Sequence, residues 1–340
     1  MVLVLHALMK TGALEYGDSL LTYAYYWLLE AACICAVNIF VLISGYFQIN
    51  AQFKGRNVIK IAFGGVWIYS VMFSWVEIVF EGYPLTLRWL IKAFFPLLTK
   101  KYWFANAYLV LYIISPFLDK LLLSLSAKQR TIFVAILIAL FSIRTTIFPL
   151  SWGQDLSGGM GILWFVTLYC VAAWLRLYFK ERQKPLKYWL VYLAATALLA
   201  GSKIILMVLG AEEYSGKLYG YSSCVVLIQA VALFMAFLNS RLIVGKWAQA
   251  INAIAKHSFS VYIIHFTMWN VLFTTVLHVD YFVHNIFSGT AAILIAVMLI
   301  FVFCVIVDCA KEFCEKRLIY SFNQIKAGRL FYSAIKNGMT

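Results

Sequence analysis

The sequence predicts an all-α fold, a polytopic transmembrane bundle of about ten helices, on three observations. Of the 340 residues, 64% are hydrophobic and only 12% are charged, with a mean hydropathy of +0.87. Soluble domains are nearer one-half apolar and one-quarter charged, so too few charges remain here to cover a water-facing surface. The apolar residues also come in long unbroken runs, close to the roughly 20 residues a spanning helix needs. Aromatic residues make up 17%, as suits belts of Trp and Tyr at membrane interfaces. No soluble domain fits anywhere, and the chain reads as one transmembrane domain over 1–340.

Taken in order, the stretch 1–9 makes about half a span. Full spans are expected near 28–47, 58–80, 102–122, 130–149, 161–179, 187–208, 218–239, 258–277 and 286–308. Residues 81–101 (EGYPLTLRWLIKAFFPLLTKK) are mixed and contain two prolines. They read as a re-entrant or interfacial piece. No short-period repeat is visible.

A net charge of +14 would suggest nucleic acid in a soluble protein. In a membrane protein the excess belongs to cytoplasmic loops, and no nucleic-acid partner is expected. The seven cysteines lie in or beside apolar runs, with no C-x-x-C. They predict neither a disulfide framework nor zinc. No basic region precedes the first apolar stretch and no small-residue cleavage site follows it, so no cleavable signal is expected.

Alternate loops carry the basic residues, among them Lys54, Arg56 and Lys60, then Lys120, Lys128 and Arg130, then Arg176, Lys180 and Arg182, then Lys246 and Lys256, and the tail from Lys311. The intervening loops are poorer, and the positive-inside rule puts the C-terminus in the cytoplasm. Arg88, Lys92, Lys100 and Lys101 fall on the outer side. They mark either a misread segment or a functional basic patch. With an even number of spans the N-terminus is cytoplasmic too. Nine residues cover about 14 Å of a core about 30 Å thick. The expectation is therefore a truncated first helix, in a fragment or late-start chain; the alternative is a first segment that does not span.

Polar groups inside spans are costly, and each is a functional candidate. The run AACICAVNIFVLISGYF places Ala32 and Ala36 at a spacing that permits close helix approach. It also holds Asn38, and Ser44-Gly45 near its cytoplasmic end. Packing and Ser back-bonding to its own helix are the plainer roles for these residues. In SFSVYIIHFTMW, the residues Ser258, Tyr262, His265 and Trp269 share one helix face. That stripe reads either as a structural hydrogen-bond network or as the lining of a wet cavity. KKYWFANAYLVLYIISPF adds Trp103 and Asn106. His6 sits in the apolar run at the start of the chain. With an unperturbed pKa of about 6.5 it suits a general base, and as a lone residue it equally suits a structural role. His278, Asp280 and His284 share one outer loop but match no common metal motif, and no metal site is assigned.

These stretches also carry a resemblance. VLHALMKTG, followed after a loop by AVNIFVLISGYF, resembles the start of membrane acyltransferase family 3, whose bacterial members O-acetylate cell-envelope and exported polysaccharides. YWFANAYLVLYIISPFLDKLL, LWFVTLYCVAAWLRLY and SFSVYIIH follow in the family's order, so the resemblance covers nearly the whole chain. It implies a ten-helix bundle, an acyl-CoA donor and a hydroxyl acceptor, and its essential histidine falls on His6. The family pattern also has an arginine eleven residues before that histidine, and this sequence begins too late to contain it. After the Ser-Gly pair the family often shows Arg-Arg and a proline; here only Arg56 and Lys60 occupy the loop, and the proline is absent.

The resulting expectation is an O-acetyltransferase of the bacterial inner membrane, with acetyl-CoA as donor substrate and no bound cofactor. Its partners are a saccharide or lipid-linked glycan acceptor and membrane lipids. His6 would act as general base or carry the acyl group itself. Arg56 and Lys60 would meet the donor's phosphates. Asn38 and Asn106 would orient the base or polarise the acyl carbonyl, and Tyr262 and His265 would line the cavity. His265 lies about 10 Å in from the cytoplasmic face and His6 near the outer end of its helix, so no dyad is expected. The alternatives are a transporter or flippase of a lipid-linked saccharide, which needs intramembrane polar residues equally, and an inactive truncated homologue.

Overall fold

The computed structural model describes residues 1–15, 19–148, 157–179, 182–211, 214–241 and 244–324. Among these residues the chain is mainly helical and forms no strand. Its helices are α1 (Val2–Lys10), α2 (Leu20–Cys33), α3 (Ala36–Gln48), α4 (Gly55–Glu81), α5 (Leu87–Phe94), α6 (Trp103–Ser124) and α7 (Ala127–Ile147). They continue as α8 (Ile162–Tyr178), α9 (Pro185–Val208), α10 (Cys224–Asn239), α11 (Lys246–Ala255), α12 (Ser258–Asn270) and α13 (Ile286–Gln324). Among the described residues, six segments are long and apolar enough to cross a membrane: Leu20–Gln48, α4, α6, α7, α9 and α13. α8 and α10 are shorter apolar helices. Lys180, Lys326 and Arg329 of the basic loops and tail lie outside the described residues.

The chain folds as two compact units. The first takes Met1–Phe53, Trp103–Leu242 and Leu277–Leu294, and the second takes Lys54–Tyr102, Ile243–Val276 and Ile295–Thr340. In the first unit α9 packs on α10 and α2, while α3 packs on α8 and α10. α8 is buried over most of its length, with Trp164, Phe165, Leu168, Tyr169, Ala172 and Leu175 among its covered side chains and exposed residues only near its ends. A helix apolar all round belongs in such a centre. Close approach is set by small residues. A Cβ built on Gly45 of α3 would stand 3.0 Å from the Ala172 Cβ and 3.1 Å from the Tyr169 backbone.

The expected span near 28–47 is interrupted at Ile34–Cys35, so Ala32 and Ala36 do not share one unbroken helix. A break in an apolar segment needs partners for the carbonyls it frees. They are present: Ala31 O accepts from Gln229 Nε2 at 2.7 Å, and Ala32 O from the Tyr192 hydroxyl at 2.8 Å.

In the second unit α12 packs on α4. α4 widens into π-type turns over Lys60–Trp67, a local irregularity often found near functional sites. Gly65 lies in that stretch, and a Cβ there would come within 2.9 Å of the Phe259 ring. Residues 81–101 hold α5, an eight-residue helix capped by Thr86, whose side chain accepts from Trp89 N at 3.2 Å. Trp89 and Ala93 are buried while Arg88 and Lys92 are exposed, an amphipathic arrangement suited to an interface. Of the four basic residues in this segment, Lys101 is neutralised by Glu77 at 2.8 Å and bonds Ser74 Oγ at 2.8 Å.

Candidate functional site

His6 is half-buried on α1, between the buried Leu5 and Ala7. Thr11 follows the helix, about 7 Å further along the axis, and returns its hydroxyl to Ala7 O at 2.8 Å. At this end of α1 lies a cavity of about 420 Å³, within the range of small-ligand sites. Thr11, Glu15, Ser19, Asp280, Tyr281 and His284 contribute to its wall. Hydroxyls, carboxylates and imidazole are the groups that hydrogen-bond a polyhydroxylated ligand. Asp280 Oδ1 is a buried acceptor with no partner among the described residues, and a bound hydroxyl would relieve that cost. Thus two residues of the outer loop flagged in the sequence, Asp280 and His284, meet the end of the His6 helix. His278, the third, stacks obliquely on Tyr281 at 5.6 Å.

Asn38 is fully buried and held from two sides. Its Nδ2 donates to Tyr221 O at 2.8 Å, and its Oδ1 accepts from Trp164 Nε1 at 3.1 Å. Trp103 stacks on the same Tyr221, with centroids 5.7 Å apart. Asn106 lies half-buried one turn further along α6. Ser44 gives its hydroxyl to Phe40 O at 3.0 Å and to the Tyr108 hydroxyl at 3.2 Å. Gly45 admits α8 to close contact, as described above.

The remaining candidates belong to the second unit. Arg56 and Lys60 are both exposed at the start of α4, four residues apart and so on one face. On α12, Ser258 is exposed and bonded to Ala255 O at 2.7 Å. His265 is 1% exposed, with Nδ1 at 2.7 Å from Val261 O. Tyr262 packs edge-on against it at 6.1 Å. The Trp269 side chain lies outside the described residues.

A cluster that the sequence reading passed over lies beside them. His257 Nδ1 is 2.6 Å from Asp308 Oδ2, Tyr69 donates its hydroxyl to Asp308 Oδ1, and His257 Nε2 faces Cys309 Sγ at 3.5 Å. His257 and Asp308 are 3% and 4% exposed. Ligand atoms of His257, Asp308 and Glu312 come within 4.8 Å of one another. The 2.6 Å separation, however, is that of a charge-assisted hydrogen bond rather than of two ligands around one ion. Asp308 was legible by the same rule that picked out Asn38, an ionisable group inside an apolar run. So were Glu30, Asp119 and Lys203. Asp119 accepts from the Tyr169 hydroxyl at 2.5 Å, and the Lys203 ammonium lies 4.1 Å from the centre of the Trp27 ring and 3.1 Å from Ser215 Oγ.

Apolar helices of spanning length with polar groups held among them define a multi-pass membrane protein. The chain belongs to acyltransferase family 3: the model of that family, described as an acyltransferase domain, matches residues 1–309. The protein is thus a membrane acyltransferase. No curated protein and no solved structure matches the chain.

Proposed function

We propose that this acyltransferase moves acetyl from acetyl-CoA to a hydroxyl of an exported or cell-envelope saccharide, in the inner membrane of a bacterium. The observation that carries the reading is the hydroxyl- and carboxylate-walled cavity at the end of the helix bearing His6. His6 takes the proton of the saccharide hydroxyl as its oxygen attacks the thioester carbonyl, and the C–S bond breaks with the proton passing to the coenzyme's sulfur. In a two-step variant the imidazole carries the acetyl group between donor and acceptor. Arg56 and Lys60 pair with the donor's phosphates.

The test uses the full chain in proteoliposomes with labelled acetyl-CoA and envelope glycan. His6→Gln is expected to lower transfer about 10²- to 10⁴-fold, the usual worth of a general base. Unchanged transfer by His6→Gln rejects the assignment.

A further inference from the structure

We propose that Cys309 is an acyl-accepting nucleophile, with His257 as its base and with Asp308 and Tyr69 as positioning residues. It takes the acyl group of an acyl-CoA as a transient protein thioester. The inference rests on the acyl-CoA donor proposed above, but not on the saccharide acceptor.

The geometry is that of nucleophile, base and orienter. Asp308 Oδ2 lies 2.6 Å from His257 Nδ1. A carboxylate there holds the proton on Nδ1 and leaves Nε2 as the basic nitrogen. That nitrogen is the one facing Cys309 Sγ at 3.5 Å. Tyr69 anchors the other carboxylate oxygen. The His–Asp pair is buried whereas Cys309 is exposed, so a reachable thiol stands on covered machinery. A purely structural pair joining α12 to α13 would need no thiol on the second ring nitrogen.

Basic groups lie near the cluster, each shared with an acidic neighbour. Lys256 and Lys311 flank the cluster, paired with Glu312 and Glu315 at 3.2 Å each. The Lys311 ammonium also lies 5.3 Å from the centre of the Tyr69 ring and 3.9 Å from where a Gly64 Cβ would stand, one turn beyond Lys60. At 1.5 Å per residue, Cys309 stands about 35 Å along α13 from Ile286, beyond a hydrocarbon core of about 30 Å. If the span begins with α13, that length brings the thiol to the water-facing border, where a soluble donor can reach it.

In the step, Cys309 Sγ attacks the acyl carbonyl carbon while His257 Nε2 takes the thiol proton. The bond from that carbon to the coenzyme's sulfur breaks, and His257 hands the proton to the departing thiolate. One thioester forms as another is lost, so no further reactant is required.

The experiment uses the full chain in nanodiscs and two readouts. The first is incubation with labelled acetyl-CoA, an acid quench and peptide mapping of hydroxylamine-labile label. Label is expected on Cys309, absent from Cys309→Ala and at least tenfold lower in His257→Gln. The second is the alkylation rate with iodoacetamide, where Cys314 on the same helix, also exposed, is an internal standard. Cys309 is expected to react at least tenfold faster than Cys314 in the unaltered protein, and at a similar rate in His257→Gln. Equal rates in the unaltered protein overturn the proposal, whatever becomes of the variant's folding. So does acetyl transfer to glycan with no label on Cys309 and no loss in Cys309→Ala. Labelled Cys309 without transfer to any glycan upholds the thiol's role and overturns the acceptor reading instead.

Discussion

The indole of Trp164 donates to Asn38 Oδ1 at 3.1 Å, and the same amide donates to the Tyr221 carbonyl at 2.8 Å. One buried side chain thus ties α3 to α8 and to the turn before α10. Asn38→Leu leaves both partners unsatisfied, at a cost of about 1–3 kcal/mol for each such group. A lowered thermal midpoint in detergent is the expected result, and an unchanged midpoint counts against the clamp.

Gly45 makes the opposite kind of contact, defined by an absent side chain. Gly45→Ala forces a methyl to within 3.0 Å of the Ala172 Cβ, and overpacking of this kind costs about 1–3 kcal/mol. Gly201 in α9 has nothing within 4 Å of the corresponding position. Gly201→Ala should therefore stabilise by up to about 1 kcal/mol through helix propensity. Unfolding titrations of the two variants should move in opposite directions.

The cavity beyond α1 separates binding from chemistry. If the cavity holds the acceptor as proposed, Asp280→Asn and Glu15→Gln would each weaken a charge-assisted hydrogen bond to its hydroxyl, worth about 1.5–3 kcal/mol. The acceptor KM is expected to rise tenfold or more with kcat within twofold, whereas His6→Gln lowers kcat. Unaltered KM in both cavity variants removes the cavity as acceptor site.

Lys101 and Glu77 form a largely covered pair, with side chains 10% and 22% exposed. Burial pulls the Lys101 ammonium below its ordinary value, and Glu77 pulls it back. Either neutralisation alone strands a charge; removing both does not. Lys101→Met and Glu77→Gln should each lower the melting temperature, and the double variant should lie closer to the parent than either. A double variant as unstable as the sum of the two singles contradicts the pairing.

Six of the nine expected full spans correspond to helices long enough to cross, and they were legible because hydropathy over about 20 residues is a local property of the chain. The break at Ile34–Cys35 was not, since both sides are equally apolar and the rescuing groups, Tyr192 and Gln229, come from distant helices. On α12, Tyr262 and His265 are ring neighbours as their spacing predicts, but periodicity cannot tell a buried His265 from an exposed Ser258. His257 escaped notice because it stands at the start of a helix, and its partners Tyr69 and Asp308 are remote in sequence. Only tertiary packing reveals that a residue between two helix ends meets a carboxylate from the last span.

α13 runs unbroken for 39 residues, about 58 Å of rod in a hydrocarbon layer roughly half as thick. A span that begins with α13 would bring its surplus turns, with Lys311, Lys316 and Arg317, to the level of the lipid headgroups. Anionic lipids are drawn to the Lys311 ammonium, which also flanks the proposed thiol site. If the donor proposed above binds beside Lys311, a more negative leaflet is expected to raise the donor concentration needed for half-maximal transfer.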